Sequence, residues 1–252
     1  MTNTSATVGT SPGGEFRVGQ VLVNSLSILF RNFPQFLLLS GLASSPFLVV
    51  YASMFSAAAQ SGTPQISPIF FVALILGFIL TALCQAVVLY GAFQVMRNQP
   101  FRIGESLSKG LARFLPVIGT SLCMGFAIAF GSLLLIVPGM ILLAMFYVAL
   151  PACVVERLGP FQSLSRSSEL TKGHRWKVFG LAILLMICVG VAGSIIQAIL
   201  TAFQSVAVLI VGMFLWESLA RAVEAIVAVV AYHDLRVAKE GVDIDHIASV
   251  FD

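Results

Sequence analysis

The sequence predicts an all-α, polytopic membrane protein of about six transmembrane helices. Three observations carry this reading: charge is scarce, it is confined to short segments, and the basic residues fall on one side of the predicted membrane. Of the 252 residues, 58% are hydrophobic and only 10% are charged, against about 25% charged in a soluble domain. Such a chain has too little polar surface to face water all round. No Asp, Glu, Lys or Arg occurs from Asn32 to Met96, from Phe114 to Val155 or from Val178 to Trp216. Each gap is longer than the roughly 20 residues that cross a bilayer core.

The spans follow in order. Residues 1–14 are rich in Thr, Ser and Gly without Lys or Arg, so they lack the basic start of a signal peptide and read as a retained, disordered cytoplasmic tail. The membrane domain is expected over residues 15–236. Span one runs from about Pro34 to Ala58 and span two from about Pro68 to Val95, joined by the uncharged loop over residues 60–67. Spans three and four run from about Leu115 to Val137 and from Met140 to Val155, with Pro138-Gly139 between them as a turn signal. Span five runs from about Val178 to Leu200 and span six from about Phe214 to His233; residues 201–213 fit either helix or the outer interface. Residues 237–252 form a short cytoplasmic tail.

Orientation follows from the cations, because Lys and Arg in short loops resist translocation. Of the 14 Lys and Arg residues, all but Arg221 fall before span one, between spans two and three, between spans four and five, or after span six. Both termini are therefore expected in the cytoplasm. The same asymmetry accounts for the net charge of +3, so no nucleic-acid partner is implied.

A faint repeat accompanies the spans. Short segments precede the odd-numbered ones: Phe16-Arg-Val-Gly-Gln-Val-Leu22, Phe101-Arg-Ile-Gly-Glu-Ser-Leu107, and the stretch from Gly159 to Leu164. In the second, Ile103, Leu107, Leu111 and Phe114 recur at helical spacing, with Arg102, Glu105, Lys109 and Arg113 opposite. That is the profile of a helix lying in the interface plane. The inferred architecture is three units, about 15–98, 101–157 and 158–236, each an amphipathic interfacial helix followed by a transmembrane hairpin.

Few residues carry chemistry. Cys84, Cys123, Cys153 and Cys188 all lie in apolar stretches with no CxxC spacing, and read as packing residues. No metal site, cofactor or catalytic residue is expected. His233 precedes Asp234, but neighbours on a helix are expected to point apart. Glu217, Arg221 and Glu224 share a face of span six, where intramembrane charge marks function by default. Two readings stand: a self-neutralising ladder that pins span six to the bundle, or the wall of a polar cavity. Between Leu164 and Lys177, Arg166, Lys172, Arg175 and Lys177 surround hydroxyls beside Trp176. This is either a positive-inside loop anchored by Trp176 or a contact for anionic phospholipid headgroups.

Two stretches resemble a known family. Residues 150–173, from Leu150 through Glu156 and Arg166 to Gly173, resemble the pattern after the fourth span in a bacterial family of six-span proteins. Its members are labelled as the membrane domain of glycerophosphoryl diester phosphodiesterases and are similar to YciC-type membrane proteins. Residues 231–243 resemble the family's closing signature, carried here by Tyr232, Asp234, Leu235, Arg236, Lys239, Glu240, Gly241 and Asp243. The resemblance covers about residues 15–252. It implies no phosphodiesterase activity, because in the family's enzymes that chemistry belongs to a separate soluble barrel. The expectation is a non-catalytic organising or accessory protein of unassigned activity, with membrane lipids as its partners and any protein partner or homo-oligomer unspecified. The alternative is a transporter or lipid-handling protein with a polar site around span six.

Overall fold

The computed structural model describes residues 16–42, 44, 45, 48, 68–96 and 103–241. The expected tail over 1–14, most of expected span one beyond Leu42, the loop over 60–67, Phe101, Arg102 and the final turn with Asp243, Ile244, Ile247 and Phe251 lie outside these. The described residues are helical, with no strand among them.

The first helix, α1 (Val18–Arg31), buries Val21, Ser25, Ile28 and Leu29 at helical spacing. It ends at Asn32, and α2 (Phe33–Leu42) leaves at 89°. Pro34 falls in the first turn of α2, where its missing N–H breaks no helical bond. α3 (Pro68–Met96) carries no charged residue, and α4 (Ile103–Ala112) lies against it. Their contact is close because Gly110 has no side chain: a Cβ there would stand 3.2 Å from the Val87 nitrogen. Ser106 Oγ donates to Gln94 Oε1 at 3.1 Å across the same contact.

α5 (Phe114–Leu134) and α6 (Ile136–Phe146) form a tight antiparallel pair, followed by α7 (Ala149–Val155). Here the structure corrects an expectation. The turn is made by Leu135 in an extended conformation, and Pro138 and Gly139 sit inside α6. Pro tolerates a first helical turn as readily as a turn between helices. Gly139 is needed for packing, since a Cβ there would come within 2.9 Å of the Ser132 Cα.

α8 (Pro160–Thr171) is short and packs on α5 and α7. Gly173, at φ +92°, turns the chain into α9 (Arg175–Ala202). The undecided segment after residue 200 resolves into a tight turn over Phe203–Ser205, with Gln204 left-handed, and the start of α10 (Val206–Glu240). At about 1.5 Å per residue α10 is far longer than the ~30 Å bilayer core, so its last turns project beyond it.

Among the described residues five helices are long and apolar enough to cross a membrane, or up to six if the α1–α2 pair is one bent span. The core gathers on the second half of α10, where Ala222, Ala225, Ile226, Val229, Val230, Ala231 and Leu235 are buried. Small residues there let neighbouring helices approach closely. Phe126, Phe130, Ile187, Val191, Ile195 and Ile199 remain exposed, a distribution suited to a lipid-facing surface.

Candidate functional site

Two polar assemblies stand out, one at the charged end of the bundle and one at mid-depth. The first joins the C-terminal turns of α10 to the α7–α8 connection. Tyr232, buried on α10, donates its hydroxyl to Glu156 Oε1 at 2.7 Å. Arg166 on α8 places Nε 2.9 Å from each Glu156 oxygen and also ion-pairs with Glu240. Glu240 in turn accepts from Arg236 Nε at 2.9 Å, and Arg236 Nη1 reaches the Tyr232 hydroxyl at 3.3 Å. Lys239 Nζ donates to the Glu169 backbone carbonyl. Two carboxylates and two guanidiniums thus close around one phenol with no net charge.

The segments that carry the family resemblance meet at this clasp. Arg166, expected at a lipid headgroup, is held by two carboxylates. Arg175 reaches Ser168 Oγ at 3.4 Å, Lys172 and Lys177 are exposed, and Trp176 stands out at 84% exposure. Asp234 Oδ1 lies 3.3 Å from His233 Nδ1, so these neighbours, expected to point apart, do meet. His233 Nε2 is buried and makes no hydrogen bond among the described residues. Leu235 is core, and Gly241 at φ +63° caps α10 with its N–H on the Val237 carbonyl. Asp243 lies outside the described residues.

At mid-depth, a cavity of about 510 Å³ opens among α3, α5, α6, α7, α9 and α10. Its lining is largely aliphatic, with Leu89, Met124, Leu143, Ile183 and Ala228 among the residues; the polar side chains on it are Gln85, Tyr147 and Glu224. Counting about 1.5 Å per residue, these stand about 16, 12 and 15 Å from Met96, Val155 and Asp234, near the middle of a ~30 Å core. Tyr147 marks the passage from α6 to α7. Pro151, also on the lining, has no N–H for the Tyr147 carbonyl four residues earlier, which interrupts the helix there.

The expected triad divides. Arg221 pairs with Glu217 at 3.7 Å, whereas Glu224 makes no ion pair among the described residues and lines the cavity. One rung of the predicted ladder is therefore made and the other is open. Sequence reasoning singled out Glu224 but missed Gln85 and Tyr147. A Gln well inside a long uncharged gap, and a Tyr four residues before a Pro, were the available signals. No group of three or more His, Cys, Asp or Glu side chains that could hold a metal occurs among the described residues.

A family model described as a domain of unknown function (DUF7847) matches residues 101–235, more than half of the chain. The match takes in Tyr147, Glu156, Arg166, Glu224 and Tyr232. No curated protein and no solved structure matches.

Proposed function

We propose that this chain, which belongs to that family of unknown function, is a lipid-handling membrane protein that holds an amphipathic ligand in its mid-depth cavity and carries out no chemistry on it. The observation that carries the reading is the cavity: about 510 Å³, aliphatic, with a few polar groups at one depth. Its volume lies in the roughly 300–1,000 Å³ range of sites for drug-sized ligands, and such sites combine apolar walls with a few converging polar groups. An interrupted helix at the midplane is also how many transporters build a binding site.

In this reading both termini lie on the cytoplasmic side of a bacterial inner membrane, supported by the gathering of Lys and Arg in the short loops on one side. The resemblance to glycerophosphoryl diester phosphodiesterase membrane domains and YciC-like proteins agrees with a six-span membrane unit. Lys172, Arg175 and Lys177 beside exposed Trp176 would touch anionic headgroups at that face. Replacing the three cations together by Gln should weaken association with anionic vesicles, and unchanged association would reduce them to a topology signal.

The decisive test fills the cavity. The protein is purified in bilayer nanodiscs, extracted, and compared with an Ala228→Trp variant of matched thermal stability. The wild type should carry an amphiphile that the variant lacks. Identical extracts would overturn the reading.

A further inference from the structure

We infer that the cavity ligand is a cationic amphiphile, a lipophilic amine whose ammonium group sits against Glu224 with its hydrocarbon part along the aliphatic wall. The inference rests on the cavity being a ligand site and adds the charge of what it takes. α10 carries two carboxylates and one guanidinium within two turns, and Arg221 is engaged by Glu217 at 3.7 Å. Glu224 is exposed, lines the cavity, and pairs with neither. Among the described residues, no Lys, Arg or His lines the cavity beside it. A carboxylate about 15 Å inside α10 from Asp234 is poorly solvated by lipid, and the nearby cation that acts on it, Arg221, is itself ion-paired to Glu217, so a cation entering the cavity supplies a direct counter-charge. The remaining polar groups suit the same ligand: Gln85 and Tyr147 offer oxygen acceptors, and the Tyr147 carbonyl has no Pro151 N–H to accept from. The apolar remainder of the wall excludes a small hydrated ion and favours a hydrocarbon chain.

The test uses the full chain in maltoside micelles at neutral pH, with dodecylamine and dodecanol as probes of equal chain length and opposite charge state. A ligand that binds the folded state raises the melting temperature in proportion to its affinity. Dodecylamine should stabilise the wild type more than dodecanol does. Glu224→Gln should weaken the amine's apparent affinity about tenfold or more while leaving the alcohol's unchanged, and Glu224→Asp should retain part of the amine effect. If amine and alcohol stabilise equally, unaltered by Glu224→Gln but lost in Ala228→Trp, the cationic assignment is overturned and the cavity remains a ligand site. If Ala228→Trp responds to both probes as the wild type does, the ligand-site reading falls with it.

Discussion

Tyr232 on the last third of α10 gives its hydroxyl to Glu156, the residue that closes α7, over 2.7 Å. The phenol also accepts from Arg236, so it lies between a carboxylate and a guanidinium. Hydrogen bonds to charged partners contribute about 1.5–3 kcal/mol. Tyr232→Phe should lower stability by about 1–3 kcal/mol without altering the helical content. Glu156→Gln should be non-additive with it, since both act in one network. Thermal unfolding of the singles and the double measures this; strictly additive losses would mean that the clasp is not one unit.

Acid should open the same clasp. Burial works against ionisation of Glu240, but the hydrogen bonds and charges of Arg236 and Arg166 outweigh it and hold the carboxyl below the usual range. A carboxyl depressed on folding contributes stability that is fully present above its unfolded value near about 4.3 and is lost as pH falls through the folded value. The melting temperature should therefore fall below about pH 4, and Glu240→Gln should flatten that part of the profile. A variant with the wild-type slope would assign the acid sensitivity to other carboxyls.

How far the sequence reveals this depends on the range of the interaction. Spans two to six were legible because absence of charge over long runs is a local property that the bilayer enforces. The α9–α10 turn was not, since Thr201 to Met213 carries no charge or Pro to mark a break, and the turn falls at a left-handed Gln204. The two halves of the clasp were visible as patterns around Glu156 and Tyr232. Their pairing was not, because contact across such a separation depends on how α7, α8 and α10 pack. Likewise the spacing put Glu217, Arg221 and Glu224 on one face, but only the neighbouring helices determine that Glu224 lines a cavity.

The α5–α6 contact supplies a test of the corrected turn. A Cβ at Gly139 meets the Ser132 backbone at 2.9 Å, whereas one at Gly125 meets nothing within 4 Å. Overpacking of this kind destabilises by about 1–3 kcal/mol, so Gly139→Ala should melt earlier and Gly125→Ala should not. Equal behaviour of the two variants would show that the helices are not in close contact there.

The open rung on α10 makes the last prediction. Arg221 meets Glu217 with both side chains partly exposed, so removing the guanidinium should cost more than the ~0–1 kcal/mol of a surface pair and less than the ~3–5 kcal/mol of a buried one. Arg221→Leu leaves Glu217 without the guanidinium that stands 3.7 Å from it. Adding Glu217→Gln should therefore restore most of the lost stability. Adding Glu224→Gln instead should restore little, since Glu224 has the cavity beside it. The two double variants separate the arrangements in one series of melts. Full rescue by Glu224→Gln with none from Glu217→Gln would show that Arg221 serves Glu224, and that the carboxylate on the cavity wall already has its counter-charge.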